Sequence, residues 1–147
     1  MIKIICVGKL KEQYLKDMVS DYQKRISKYH KIEIIEIPDT NLEEEKNQIL
    51  NKLNKINNKF VITLEIKEKE LDSISFAKKL NDLFISGYGN IVFIIGSSLG
   101  LSDKVKEISN CLLSFSKLTF PHGLFRAILL EQIYRAFKII NNEKYHK

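Results

Sequence analysis

The chain alternates between short apolar runs and stretches of helical periodicity, and this alternation constrains its fold more than any other feature. Residues 91–95 are apolar at every position, as is typical of a central strand in a parallel sheet. Four further runs have strand character, at residues 2–7, 32–37, 60–64 and 113–120. The pattern predicts one α/β domain over residues 1–147, with a parallel sheet and helices on both of its faces.

Two of the intervening helical stretches raise specific expectations. Residues 41–58 predict a surface helix, and the run Glu43, Glu44, Glu45 is interpreted as its solvated first turn, with little support for a metal site. The last helix, from about residue 124 to residue 140, is apolar on nearly every side in its first half. One sheet face covers only one stripe of a helix, so we expect a second copy of the chain to cover the rest.

Residues 113–126 are the stretch around which a function is most easily built. A strand-like run stops at Pro121, a turn at His122 and Gly123 follows, and a long helix comes next. Open α/β sheets bind ligands where strands end against helix N-termini. Pockets combine apolar walls with a few polar groups, and four polar side chains lie in this run, at Ser114, Ser116, Lys117 and Thr119.

The loop from Gly96 to Gly100 also follows a strand and precedes a helix. Its G-x-x-x-G spacing matches neither the dinucleotide-binding fingerprint nor the P-loop, which also needs a lysine. Tight turns after strands need glycine for backbone reasons, so a structural turn and a ligand loop are equally compatible with this spacing.

Charge and composition narrow the class of protein. Residues 1–31 and 91–147 carry net charges of +5 and +4 around a middle segment of −3, for a total of +6. Such basic ends suit contact with RNA, although solubility explains them equally well. No apolar run reaches the roughly 20 residues of a membrane span. The N-terminus lacks signal-peptide character, and Cys6 and Cys111 form no CxxC, so we expect a cytoplasmic protein with reduced cysteines.

The three histidines do not form a metal cluster, and no Ser-His-Asp order supports a serine nucleophile. His30 is expected to be solvated, and His122 is expected to bond nearby backbone. His146 stands beside Tyr145 in an exposed basic tail, where core burial cannot explain a histidine. A functional role is therefore favoured for His146.

The sequence resembles the RlmH family of SPOUT methyltransferases from end to end. The most specific blocks are Ser-Phe-Ser-Lys-Leu-Thr-Phe-Pro-His at residues 114–122 and the terminal Tyr-His-Lys at residues 145–147. Further blocks lie in register with the family, at residues 7–10, 34–38, 63–66, 94–96, Arg126 and 131–136.

The resemblance implies a fold with a C-terminal trefoil knot, an obligate homodimer, and no metal. It implies transfer of a methyl group from S-adenosylmethionine to N3 of pseudouridine 1915 in 23S rRNA, on the assembled ribosome. Two alternatives from other classes stay open: a non-catalytic ribosome-binding or rRNA-binding assembly factor on the same fold, and a small nucleotide-binding α/β protein.

The resemblance also implies site residues. The cofactor pocket is expected to involve Leu64, Gly96, Phe115, Ser116, Lys117, Leu118, Thr119 and Phe120. For catalysis, His146 is expected to act as a base or to orient the uracil ring, and Tyr145 to stack on the base. Arg126 is expected to bind phosphate or stabilise charge on uracil oxygens, with a salt bridge at the subunit interface as an equally weighted alternative.

The chain departs from the family pattern in two places. Ser97 replaces the second of two adjacent glycines that the family usually has after the fourth strand. Its hydroxyl is expected either to add a contact or to narrow the pocket. Residues 41–58 also form a shorter segment than in relatives, which affects that edge of the molecule and not the expected knot.

Overall fold

The computed structural model describes all 147 residues, as five parallel strands alternating with five helices. The elements in chain order are β1 Ile2–Val7, α1 Gln13–Ser27, β2 Ile32–Ile37, α2 Leu42–Asn54, β3 Lys59–Leu64, α3 Ser73–Ile85, β4 Asn90–Ile95, α4 Asp103–Ile108, β5 Cys111–Leu113 and α5 His122–Ile140.

The five strands form one parallel sheet in the order β2-β1-β4-β3-β5. Helices α1, α3 and α5 pack on one face over the larger core cluster. Helices α2 and α4 pack on the other face over a smaller cluster. The predicted α/β class, with helices on both faces of a parallel sheet, is confirmed. Strand pairing does not report whether the chain threads a loop, so the trefoil knot stays a prediction.

The connections leave β1 and β4 in opposite directions, although these two strands are neighbours. The chain passes from β1 to β2 on one side, and from β4 across β3 to β5 on the other. Crevices at the carboxyl ends of strands near such a reversal are where open α/β sheets bind ligands. We therefore expect a ligand site among the loops that follow the strands on the β4 side of this reversal, which are β3, β4 and β5.

The fifth strand is shorter than predicted. It spans Cys111–Leu113 rather than residues 113–120, and Leu113 makes the last ladder pair with β3. Beyond it, the hydroxyl of Ser114 donates to the carbonyl of Ser116 at 2.9 Å, and the amide of Leu118 donates to the Ser116 hydroxyl at 3.0 Å. These local bonds offer the backbone an alternative to a ladder, so residues 114–121 form an irregular loop.

Helix α5 begins at His122, slightly earlier than predicted, and lies between α1 and α3. Those two helices and the sheet bury residues on most of its surface. The apolar first half of α5 is thus covered largely within the chain, and it does not by itself require a second subunit. The homodimer stays a prediction.

The expectation that all three glutamates of α2's first turn are solvated is wrong for one of them. Glu43 and Glu44 are exposed, but Glu45 is only 2 % exposed. Its carboxylate accepts hydrogen bonds from the Thr40 amide at 2.9 Å and from the Ser97 hydroxyl at 3.2 Å. Both cysteines are free thiols, and no helix is long and apolar enough to cross a membrane.

Candidate functional site

A cavity of about 390 Å³ opens at the carboxyl ends of β3, β4 and β5. Its walls come from the loops after these strands and from the start of α5. Seven of the eight residues predicted to bind the cofactor line it: Leu64, Gly96, Phe115, Ser116, Leu118, Thr119 and Phe120. Lys117 belongs to the same loop but is not part of the wall. The structure therefore gathers residues that lie more than 50 positions apart in the sequence.

The irregular loop contributes unbonded backbone groups to this cavity. Between Phe115 and Phe120, no backbone amide or carbonyl bonds another backbone group. The only internal partners in that segment are the Ser114 and Ser116 side chains, which bond the Ser116 carbonyl and the Leu118 amide. The remaining donors and acceptors are available to solvent or to a ligand with a polar edge such as adenine. A cavity with apolar walls and free backbone groups fits a nucleoside cofactor.

Gly96 is required by close packing of the loop after β4. A Cβ atom at this position would lie 2.6 Å from the carbonyl oxygen of Gly100 and 2.7 Å from Cγ of Leu101. The loop closes with a bond from the Gly100 amide to the Ser97 carbonyl, and Gly100 has a left-handed φ of +81°. Any side chain at residue 96 would have to displace backbone, which fixes this edge of the cavity.

Ser97 also lines the cavity, and its hydroxyl adds a contact. It donates to Glu45 and accepts from the Leu99 amide at 3.2 Å. The extra hydroxyl is thus bonded to α2 and to its own loop. The sequence pattern gave no signal for Glu45, because its partner lies 52 residues away.

The first turn of α5 is fixed to the end of β1. A ring nitrogen of His122 bonds the carbonyl of Val7, so the expectation that His122 bonds nearby backbone is confirmed. Arg126 is 2 % exposed and donates to Glu36 at 2.7 Å and to the carbonyl of Gly8 at 2.9 Å. This ion pair lies within one chain, and Arg126 is not part of the cavity wall. Its predicted contact with RNA is not among these interactions and stays a prediction.

Tyr145 is held against α5 by three contacts. Its hydroxyl donates to Glu131 at 3.0 Å, its ring packs edge-on against Tyr134 with 5.0 Å between centroids, and the Arg135 guanidinium lies 4.8 Å from the ring centroid. Burial and hydrogen bonds to Tyr22 and Glu131 raise the pKa of Tyr145. In this arrangement the ring supports the tail, and its predicted stacking on a base stays untested.

His146 lies at a second cavity, of about 430 Å³, next to the first. Its Nδ1 is 3.1 Å from a guanidinium nitrogen of Arg135. Because a guanidinium only donates, Nδ1 is the acceptor and the proton of the neutral ring is on Nε2. Phe115 and Phe120 line both cavities. The predicted catalytic histidine and the predicted cofactor residues are therefore separated by a shared aromatic wall.

Sequence reasoning missed the polar residues of the second cavity. The Ser73 hydroxyl donates to Gln132 at 2.8 Å, and Asp72 caps α3 by accepting from the Ser75 amide at 2.7 Å. That bond, with a smaller effect of His146, lowers the pKa of Asp72. A helix cap and a mid-helix glutamine carry no pattern that separates a pocket from ordinary surface. No group of three or more His, Cys, Asp or Glu side chains is placed to hold a metal ion.

Comparison with known proteins gives a consistent result. A family described as "Predicted SPOUT methyltransferase" matches residues 1–146. A putative ribosomal RNA large subunit methyltransferase H from Methanococcus vannielii is 58 % identical in an alignment 157 positions long, which covers 99 % of each chain. The ribosomal RNA large subunit methyltransferase H of Clostridium tetani is 52 % identical with the same coverage.

Solved structures show the same fold at low sequence identity. A probable methylase family protein from Haemophilus influenzae aligns with a TM-score of 0.57 and 12 % identity, covering 99 % of this chain and 70 % of that one. The SpoU methyltransferase AviRb from Streptomyces viridochromogenes aligns with a TM-score of 0.53 and 8 % identity, covering 98 % and 62 %. With the family match and the identity to its relatives over full length, the chain belongs to the RlmH family of SPOUT methyltransferases.

Proposed function

We propose that the chain methylates N3 of pseudouridine 1915 in 23S rRNA on the assembled ribosome, with S-adenosylmethionine as donor. The coarser activity, methylation of large-subunit ribosomal RNA, follows from the relatives and their names. The observation that carries the proposal is the pair of adjacent cavities. One has a lining suited to a nucleoside cofactor, and the other has His146 in its wall.

In this proposal the 390 Å³ cavity, which we call the cofactor cavity, holds S-adenosylmethionine. When bound, this cofactor supplies a methyl group on a cationic sulfur. The free backbone groups of residues 115–120 bind the adenine edge, while Leu64, Leu118 and Phe120 pack on its faces. Gly96 keeps the loop close, and Lys117, outside the wall, remains available for the carboxylate of the cofactor or for RNA.

His146 acts on the target base from the second cavity. The N3 proton would pass to solvent at this exposed site, and the resulting negative charge would be shared with the neighbouring carbonyl oxygens until N3 bonds the methyl carbon and the carbon–sulfur bond breaks. Because Arg135 occupies Nδ1, the free Nε2–H is a donor rather than a proton acceptor. Of its two predicted roles, this favours orienting the uracil ring and stabilising the developing charge over acting as a base. The shared wall of Phe115 and Phe120 would then set the separation of base and cofactor.

Arg126 and Tyr145 take supporting roles in this proposal. Arg126 holds the start of α5, which forms part of the cofactor cavity, and Tyr145 holds Arg135 against His146. For Arg126 to contact RNA, the segment after β1 would have to move when RNA binds. For Tyr145 to contact RNA, the C-terminal tail would have to move.

We also propose a homodimer. Exposed apolar side chains remain on α1, at Tyr14 and Met18, which lie one helical turn apart, and at the rim of the cofactor cavity, at Leu118. Such surface is typical of an interface. Light scattering after gel filtration tests the dimer. Because a ribosome is the proposed substrate, we expect the protein to act in the cytoplasm.

The direct test is transfer of labelled methyl from S-adenosylmethionine to purified ribosomes that lack this modification, followed by mapping of the modified nucleotide. We expect the labelled methyl group at N3 of pseudouridine 1915 and at no other nucleotide. Label at another base would contradict the proposed position. Titration calorimetry that shows no binding of S-adenosylmethionine, together with ribosome binding, would favour the assembly-factor alternative.

A further inference from the structure

The carboxylate of Glu45 is buried without a cationic partner. It lies in the first turn of α2 with 2 % of its surface exposed, and its two hydrogen-bond donors, the Thr40 amide and the Ser97 hydroxyl, are both neutral. The nearest lysine in sequence, Lys46, pairs with Glu43 instead. No lysine or arginine forms an ion pair with this carboxylate, and little water reaches it to screen its charge.

This charge lies directly behind the wall of the cofactor cavity. Ser97 lines the cavity, and its hydroxyl is 3.2 Å from Glu45 Oε1. The one acidic residue in the wall itself is Glu65, and it has the Lys106 ammonium 3.3 Å from Oε1. The Glu65 charge is therefore largely offset, whereas the Glu45 charge is not. The electrostatic potential inside the cavity is expected to be negative on the side of the loop after β4.

Methyl transfer changes the charge of the cofactor at one atom. The donor carries a positive sulfonium, and the product S-adenosylhomocysteine carries a neutral thioether in the same place. The two molecules otherwise present the same adenosine and amino-acid groups. A fixed negative charge near the cavity therefore attracts the sulfonium of the donor, whereas the groups that donor and product share respond to that charge alike. This reasoning rests on the proposed function, because it assumes that the cofactor occupies this cavity.

We propose that Glu45, acting across Ser97, is a specificity determinant that favours binding of the cationic donor over the neutral product. The geometry gives Glu45 no contact with the cofactor, so it acts through the field of its charge. In this chain the device would assist release of product after each transfer.

The test measures binding of both molecules to Glu45→Gln by titration calorimetry. Glutamine keeps the shape of the side chain and can bond both partners, but it removes the charge. We expect affinity for S-adenosylmethionine to fall by roughly three- to tenfold, as for a partly screened charge pair. Affinity for S-adenosylhomocysteine should change less than twofold. Glu44→Gln, an exposed carboxylate of the same turn, is the matched control and should change neither affinity.

The alternative outcomes separate the possible failures. Equal weakening of both molecules by Glu45→Gln would reduce Glu45 to a structural support and overturn the proposal, as would no change in either affinity. If the wild-type protein binds neither molecule, the proposed function itself fails. If Glu45→Gln does not fold, the preference for a cationic ligand is measured on the wild-type protein instead. An analogue with a protonated amine in place of the sulfonium should bind more tightly than the thioether, and equal or weaker binding would overturn the proposal.

Discussion

The two ends of helix α5 each carry an arginine, and the two arginines lie in opposite environments. Near the start of the helix, the Arg126 side chain is 2 % exposed and bonds Glu36 and the backbone of Gly8. Near the end, the Arg135 side chain is 24 % exposed and connects Glu131 to His146. The comparison teaches that one helix joins a region whose polar contacts fix the fold to a region whose polar contacts position His146, the residue proposed to act on the base. Substitutions at the two ends should therefore affect different measurements.

The largest expected effect is on stability, at the buried end. Arg126→Met removes two hydrogen bonds and leaves the Glu36 carboxylate and the Gly8 carbonyl without their partner. We expect a loss of about 3 kcal/mol in the free energy of unfolding, measured by urea denaturation, because two hydrogen bonds of a buried guanidinium are lost; the Glu36 carboxylate, 38 % exposed, is left partly solvated. The double substitution with Glu36→Gln should recover part of this loss.

Arg135→Met is the matched comparison on the same helix. The Arg135 side chain is itself 24 % exposed, against 2 % for Arg126, so its loss should cost less than about 1 kcal/mol. If the two methionine variants were destabilised equally, the contrast between the ends of α5 would be refuted.

The next effect is on catalysis, at the exposed end. His146→Ala should lower the rate of methyl transfer about 10²-fold, the usual cost of losing one donor to developing charge. Stability should change by less than about 0.5 kcal/mol, because the side chain is exposed. His146→Gln separates the two proposed roles, since glutamine keeps a donor but cannot act as a base. Recovery of most of the rate supports the donor role, and a rate as low as that of alanine supports the base. His30→Gln serves as a control, because His30 stacks on Phe84 and belongs to neither cavity wall.

A third effect concerns Cys6, which lies near Arg126 at the buried end of α5, and it is a loss of stability at high pH. Burial raises the pKa of the Cys6 thiol to about 11, although the nearby Arg126 opposes this. The unfolded chain loses this proton near pH 9 while the folded chain keeps it, so unfolding becomes easier as the pH rises from about 9 to 11. The free energy of unfolding should fall by about 2 kcal/mol over this interval, because the slope approaches about 1.4 kcal/mol per pH unit only midway between the two pKa values.

The measurement is urea denaturation between pH 8 and pH 11. Cys6→Ala should reduce the alkaline slope, and Cys111→Ala, which retains Cys6, should keep it. An unchanged slope in Cys6→Ala would mean that other groups cause the alkaline loss.

The smallest effect is expected for Tyr145→Phe. This change removes the bond from the hydroxyl to Glu131 but retains the ring contacts with Tyr134 and Arg135. We expect a loss of about 0.5 kcal/mol in stability and a two- to threefold lower rate, because Arg135 is held less firmly against His146. A much larger fall in rate would indicate direct contact of the hydroxyl with the substrate.

The sequence predicted the sheet well wherever β-branched residues dominate a short run that ends at Gly or Pro. The predicted bounds of Ile2–Val7 and Ile32–Ile37 match the structure, although Lys3, Glu33 and Glu36 interrupt the runs, because Gly8 and Pro38 mark where each one ends. The fifth strand was predicted too long. Phe115, Leu118 and Phe120 suggest a strand, but the bonds made by the Ser114 and Ser116 side chains replace the ladder.

The site was predicted in part. The resemblance to a family identified seven residues that line the cofactor cavity, but not the side chains that support its walls, such as Glu45. The hydroxyl that bonds the buried Glu45 comes from Ser97, 52 residues away. The tautomer of His146 depends on Arg135, 11 residues earlier in the chain. Such pairings arise from tertiary contacts, and no periodicity or spacing in the chain encodes them.

The loop at residues 115–120 has a consequence for the dynamics of the free protein. With none of its backbone groups bonded to other backbone, its amide protons have little protection and should exchange with solvent quickly. If a nucleoside occupies the cofactor cavity as proposed, it would complete those bonds, and part of its binding energy would be used to order the segment. The ligand thereby supplies the stability that the sequence withholds from this loop, and the melting temperature should rise with ligand concentration.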